Sequence, residues 1–293
     1  MCGTCGCGNN ENGPVILKPG EHKHHHHDHD HHHDHHHDHD HNHDHDHVHD
    51  HDHGHNHEPH SHTHSHEGHD HDHNDHNKTV VAIEKNILQH NDKMAARNRG
   101  YFDAKNIFVL NLVSSPGSGK TTLLERTLTD LKDKHSFYVI EGDQQTMNDA
   151  DRINALNIPV VQINTGKGCH LESDMVYNAL KKLEIKDNAL LFIENVGNLV
   201  CPSMFDLGED KRVVIISTTE GEDKPIKYPD MFHSSDICII NKIDLLPYVN
   251  INIEKLKQYA LQINPKLKFF ELSATTGEGM NPWYNWLSEQ KKN

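Results

Sequence analysis

The chain has 293 residues, 28 Lys and Arg against 44 Asp and Glu, 34 histidines, six cysteines and a formal net charge of −16. That acidic balance, with no basic stripe, excludes a nucleic-acid footprint. No apolar run approaches the ~20 residues of a membrane-spanning helix, so no membrane contact is expected.

Residues 1–20 read as a leader that ends in Gly13-Pro14 and Pro19-Gly20. Cys2, Cys5 and Cys7 form a compact thiolate cluster in it, suited to Ni²⁺ or Zn²⁺ if an amine or a backbone nitrogen completes the set. Their tight spacing does not suit a secreted disulfide scaffold, Met1-Cys2-Gly3 has no basic n-region, and Val15-Ile16-Leu17 is too short for a signal-peptide core. A reducing cytoplasm is the expected compartment.

Residues 21–78 form a His/Asp tract. Thirty of the 34 histidines lie there, with 15 acidic residues and only two lysines, Lys23 and Lys78. Almost nothing in the tract is apolar, so it should be disordered without metal. At roughly 4–6 ligands per ion its imidazoles could store about five to seven ions. The same histidines explain a pI near 6.1 beside so negative a formal charge. With a reference pKa of roughly 6.5, half-protonation of all 34 imidazoles adds about +17.

The third domain is 79–293, long enough for one α/β core. Val80, Ile83, Ile87, Leu88, Met94 and Ala95 recur at helical spacing and predict an entry helix over 79–99. A strand at 107–113 follows, then Ser114-Ser-Pro116-Gly117-Ser118-Gly119-Lys120-Thr121-Thr122. A buried strand entering a Gly-rich turn that closes on Gly-Lys-Thr is a phosphate cradle: backbone amides hold the phosphates, Lys120 bridges β and γ, and Thr121 faces Mg²⁺. Ser114 stands where the general pattern begins with glycine.

A helix from Thr121 to about 134, a strand at 137–141, a helix over 146–156, a strand at 160–163 and a helix over 171–183 come next. Strands at 189–194, 213–217 and 237–241, a helix over 252–263, a strand at 269–272 and a helix from near 279 complete the alternation. This order predicts an α/β P-loop fold with a mainly parallel sheet and helices on both faces, its ligands beyond the C-terminal strand ends.

Asp143 and Glu194 close two strands and are candidate Mg²⁺ ligands with Thr121. Glu194-Asn-Val-Gly197 occupies the place of a switch segment whose glycine amide senses the γ-phosphate. Asn241-Lys242-Ile-Asp244 follows another strand, and a carboxylate there can accept from guanine N1–H and its 2-amino group, which adenine lacks. Ser273-Ala274 then backs the base. No catalytic base is evident. Lys120, Thr121, Glu194 and Gly197 are therefore expected to act by position and charge, with slow intrinsic turnover. Cys169, His170 and Cys201 follow strand ends or switch segments. They suit Ni²⁺ or Zn²⁺ but are one ligand short of a closed tetrahedral site, a gap that water or a second subunit could fill. Cys238 lies inside an apolar strand and reads as core.

The chain resembles the hydrogenase nickel-incorporation GTPase family, HypB. The likeness is carried by Cys2-Gly-Thr-Cys5-Gly-Cys7, Ser114–Thr121, Glu141-Gly-Asp143-Gln-Gln-Thr146, Gly168-Cys169-His170-Leu171, Glu194–Pro202, Thr219–Pro225 and Asn241–Asp244. It implies a SIMIBI-class P-loop fold, GTP-dependent homodimerisation, and nickel delivery to the large subunit of [NiFe] hydrogenase with partner chaperones. It further implies that Cys169, His170 and Cys201 form a Ni/Zn site at the dimer interface and that the leader is a tighter nickel site. Two alternatives remain at this level, a nickel store with a regulatory GTPase domain and the related urease accessory GTPase. The leader and the separate Cys201 disfavour the second.

Overall fold

A computed structural model describes residues 14–21, 73–144 and 147–290, with side chains from Lys85 onward in the first helix. Cys2, Cys5, Cys7 and nearly all of the His/Asp tract lie outside the described residues. The chain divides into one compact unit of Met1–His22 with Thr79–Asn293 and another of Lys23–Lys78.

The strand Phe108-Val-Leu-Asn-Leu-Val-Ser114 is buried at every position, because its side chains meet protein on both faces of the sheet. It is β2 of an eight-stranded sheet. The others are β1 Val15–Leu17, β3 Phe137–Asp143, β4 Val160–Asn164, β5 Leu190–Glu194, β6 Lys211–Ser217, β7 Ile237–Asn241 and β8 Lys268–Glu271. The order is β1-β4-β3-β5-β2-β6-β7-β8. All neighbours are parallel except β1, which pairs antiparallel with β4.

Period-2 alternation sorts the side chains into two layers. Leu110, Leu112, Val139 and Phe192 face α2 (Lys120–Leu131), α3 (Asn148–Asn154) and α8 (Met280–Glu289). Val109, Ile140, Leu191 and Ile193 face α1 (His73–Ala104) and α4 (Ser173–Leu180). On that same side Val113, Val214 and Ile240 pack on α6 (Pro229–His233) and α7 (Ile253–Ile263). Short α5 (Lys224–Lys227) precedes α6.

α1 is longer than its apolar periodicity implies and is fixed by polar contacts as well. Asn91 and Asn98 donate to the carbonyls of Asp206, Ser173 and Leu207, and Arg99 pairs with Asp206 at 2.8 Å. β1 is a strand that the sequence reading left inside an irregular leader. Three apolar residues carry no alternation, and only the edge of β4 gives them a partner. α2 stops at Leu131, earlier than 134, because Lys134 and His135 turn back on the Leu131 carbonyl.

Candidate nucleotide site and metal cluster

The parallel strands bring Ser114, Asp143, Glu194, Ser217 and Asn241 to one edge of the sheet. There the chain turns from β2 into α2 through Gly117 (φ 76°) and Gly119 (φ 90°), backbone that glycine adopts without strain. A Cβ on Gly119 would lie 2.5 Å from Asn241 Nδ2. Gly119 is the N-cap of α2, and no side chain caps the helix there. The first-turn amides are thus left to an anion, as a phosphate cradle requires. Pro116 and Gly117 are exposed, Ser118 is buried, and Thr122 is exposed on the first turn of α2.

The guanine elements brace this loop from behind. Asn241 Nδ2 donates to the Ser118 carbonyl at 2.9 Å, and its Oδ1 accepts from Ala274 N at 3.1 Å. Lys242 Nζ reaches the Gly117 carbonyl at 2.7 Å. Ser273 is buried, and its Oγ accepts from Thr276 N at 3.1 Å. Asp244 Oδ1 is buried without a hydrogen-bond partner, a carboxylate acceptor left unpaired just after β7.

Lys120 Nζ donates to Glu194 Oε1 at 2.5 Å, and Thr121 Oγ1 donates to the same oxygen at 2.6 Å. Glu194 is fully buried and faces Glu141 across the β3–β5 ladder. Glu141, Asp149 and Glu194 each place a carboxylate oxygen within 4.8 Å of the others. Burial and the neighbouring Glu194 charge hold the Glu141 carboxyl well above the usual range. Burial would also raise Glu194, yet the Lys120 ammonium and the hydrogen bonds it receives keep it low. The pair therefore keeps its proton on Glu141 and its charge on Glu194. The second oxygen of each, Oε2, is buried without a hydrogen-bond partner. Oxygen ligands beside a phosphate loop fit Mg²⁺.

Asp143, expected in this set, lies outside it. It ends β3 two residues beyond Glu141, about 6.6 Å further along the strand. Glu141 and Asp149 were not singled out from the sequence. Strand parity puts Glu141 on the α2 side of the sheet and was a usable signal; Asp149 enters from α3, which no local pattern shows.

The metal residues do converge. Cys169 Sγ is 2.8 Å from Cys201 Sγ and 3.7 Å from His170 Nδ1. His170 is 8% exposed and stacks on Phe205 at 4.0 Å between centroids. Its Nε2 lies 3.4 Å from Glu172 Oε1, without hydrogen-bond alignment. Val200 and Met204, on either side of Cys201, are about half exposed. Two sulfurs and one nitrogen leave a fourth position for an incoming ligand. Cys238, fully buried in β7, is core as expected, and burial pushes its thiol far up.

The 194–201 segment joins the two sites. Glu194 holds Lys120, Gly197 sits where a Cβ would touch Pro116 Cα at 3.4 Å, Asn198 Nδ2 reaches the Cys169 carbonyl at 3.4 Å, and Cys201 meets Cys169.

The CobW/HypB/UreG nucleotide-binding domain model matches residues 108–271. Hydrogenase maturation factor HypB of Escherichia coli K12 is 54% identical over 214 residues, covering 73% of this chain and 74% of that protein. The chain belongs to the HypB family. The hydrogenase/urease maturation factor HypB of Helicobacter pylori is 40% identical over 220 residues, covering 74% of this chain and 90% of that one. Two solved HypB structures share the fold. That from Archaeoglobus fulgidus has a TM-score of 0.65 at 39% identity, over 70% of this chain and all of its own. The Helicobacter pylori protein in complex with nickel has a TM-score of 0.66 at 40% identity, over 69% of this chain and 94% of its own. The P-loop GTPase fold and the mainly parallel sheet with helices on both faces are thus as the sequence predicts. No described helix is long and apolar enough to cross a membrane.

Proposed function

We propose that this HypB-family chain is a GTPase that carries nickel for hydrogenase maturation and uses its nucleotide state to set the affinity of the Cys169–His170–Cys201 cluster. The observation that carries this is the 194–201 segment, which touches Lys120 and Thr121 at one end and Cys169 at the other. Only a ligand that binds two arrangements of this segment unequally can move the cluster.

In this reading Asp244, with Asn241, Lys242, Ser273 and Ala274 behind it, selects guanine. The amides of Pro116–Thr122 and Lys120 hold the phosphates. Thr121, Glu194, Glu141 and Asp149 would hold Mg²⁺, which neutralises charge on the β- and γ-oxygens. Gly197 packs on the loop where a γ-phosphate would press on it, and Lys120 passes from Glu194 to phosphate as GTP enters. A second copy of the chain completes the metal coordination, as the exposed Val200 and Met204 beside Cys201 favour. Partner chaperones and the hydrogenase large subunit receive the ion in the cytoplasm. The leader and the His/Asp tract bind further nickel, the tract as a store, and the domain limits 1–20, 21–78 and 79–293 follow this division of labour.

Steady-state hydrolysis and nickel titration test the reading. GTP but not ATP should be hydrolysed, slowly. Lys120→Ala should lower GTP affinity about 10- to 100-fold, the equivalent of ~1.5–3 kcal/mol for charged hydrogen bonds. Cys169→Ser should remove one thiolate-to-nickel charge-transfer component. Equal use of ATP, or nickel binding indifferent to Cys169, would sink it.

A further inference from the structure

Asn111 stands in the middle of β2 and Arg212 opposite it in β6, both buried on a face of the sheet otherwise lined by Val109, Val113 and Val214. Neither the nucleotide reading nor the metal reading uses them. We propose that they form, with Asn195 and Glu209, a buried polar frame that positions the Cys169–His170–Cys201 cluster and makes its geometry follow the nucleotide corner. Asn195 and Arg212 are its positioning residues. The proposal rests on the nucleotide-gated nickel reading above and adds the parts that transmit the gate.

The frame can be followed bond by bond. Asn195 comes directly after Glu194, and its backbone amide donates to the Leu112 carbonyl at 2.9 Å, two residues before Ser114. Its Oδ1 accepts from Leu171 N at 3.2 Å and Val196 N at 3.0 Å, and its Nδ2 donates to Asn111 Oδ1 at 3.3 Å. Asn111 Nδ2 donates to Glu209 Oε1 at 3.0 Å. The same oxygen accepts from Arg212 Nε at 3.0 Å and Nη2 at 2.8 Å. The guanidinium also donates from Nη1 to the Ser203 carbonyl at 3.0 Å and from Nη2 to the Phe205 carbonyl at 2.7 Å. Glu209 Oε2 accepts from Leu207 N at 2.7 Å.

Both arms of the metal cluster hang on this frame. Leu171 follows His170, Phe205 is the ring on which the imidazole stacks, and Ser203 lies two residues after Cys201. The other end of the frame is tied to Glu194, which accepts from Lys120 and Thr121. Asn111 and Asn195 are 0% exposed, and the side chains of Arg212 and Glu209 are 7% exposed. An unpaired polar group in such an interior is costly, so the bonds move together or not at all. One planar guanidinium serves a carboxylate and two carbonyls at once, which an ammonium cannot do in the same geometry. A displacement of Glu194 as Lys120 leaves it is passed directly to Leu171. It reaches Ser203 and Phe205 through Asn111, Glu209 and Arg212.

The test uses the full chain with Cys2, Cys5 and Cys7 changed to Ser, so that thiolate-to-nickel charge transfer reports the cluster. Ni²⁺ is titrated with Mg²⁺ and either GDP or a non-hydrolysable GTP analogue. The reading is the ratio of the two affinities, from which competition by the tract imidazoles cancels. Coupling between two sites is typically about 5- to 150-fold, and this chain should fall in that range. Arg212→Met combined with Glu209→Gln removes both charges, so no buried charge is left unpaired. The pair should bring the ratio to within about twofold of unity, with affinity for the GTP analogue unchanged as the check on folding. Asn195→Ala, at the other end of the frame, should do the same. Arg212→Lys, which keeps the charge but not the fork, should give an intermediate ratio. A ratio unchanged in both the double variant and Asn195→Ala would overturn the proposal. So would an equal loss of nickel affinity with both nucleotides, which a purely structural role would give. If the chain without these substitutions already has a ratio of one, the functional reading fails and the frame with it. If that chain shows the ratio and the substituted ones keep it, only the frame fails.

Discussion

Gly119 shows how little room single residues have in the nucleotide corner. Its φ is 90°, and any Cβ would meet Asn241 Nδ2 at 2.5 Å, so Gly119→Ala forces apart the phosphate loop and the guanine element together. Isothermal titration should show GTP affinity falling at least tenfold, from ~1–3 kcal/mol of backbone strain. If Asp244 is the carboxylate that meets guanine, as proposed, Asp244→Ala should narrow the preference for GTP over ATP by about 10- to 100-fold. The two buried glutamates separate the same way. Glu141 carries the proton, so Glu141→Gln keeps shape and charge and should cost under ~1 kcal/mol in urea unfolding. Glu194 carries the charge that faces Lys120, whose side chain is only 10% exposed. Glu194→Gln leaves that ammonium without its counter-charge and should cost about 3 kcal/mol. Equal effects of the two substitutions would contradict the assignment of the proton.

At the scale of elements, α8 is what keeps α2 seated under the phosphate loop. Trp283 is 1% exposed, stacks on Trp286 at 5.3 Å and donates from Nε1 to Thr127 Oγ1 at 3.0 Å. Trp283→Ala should destabilise the domain by about 3–5 kcal/mol in a denaturant titration, and a loss under ~1 kcal/mol would contradict this packing. β7 makes the complementary case. Cys238 lies inside it, and native-state alkylation mapped by mass spectrometry should modify Cys169 and spare Cys238. The elements differ in how well the sequence announced them. β2 through β8 were legible because each is an apolar run between turn residues, and the loops that bear function carry their own spacing in Gly-Lys-Thr and Asn-Lys-x-Asp. β1 was not, because three residues specify nothing until β4 offers an edge. The carboxylate cluster was half legible. Glu194 ends a strand just before Gly197, whereas Asp149 joins the cluster only through the packing of α3 against α2.

For the whole molecule the central claim is that nucleotide and metal are read by one segment. The Cys169–His170–Cys201 set was legible as a candidate site because all three follow strand ends or switch segments, but its geometry was not, since Cys169 and Cys201 are 32 residues apart and come together only in the fold. The His/Asp tract belongs to this scale as well. Deleting residues 22–77 should leave hydrogenase activity in cells intact with ample nickel and lower it when nickel is scarce; a loss at every nickel level would favour storage as the main role. The most direct measurement uses the full chain with Cys2, Cys5 and Cys7 changed to Ser. Ni²⁺ is titrated by charge-transfer absorption with Mg²⁺ and either GDP or a non-hydrolysable GTP analogue, and mass is recorded by light scattering in the same samples. The account predicts a dimer and a different nickel affinity with the analogue, both affinity and difference lost in Cys169→Ala. The same affinity with both nucleotides would contradict it.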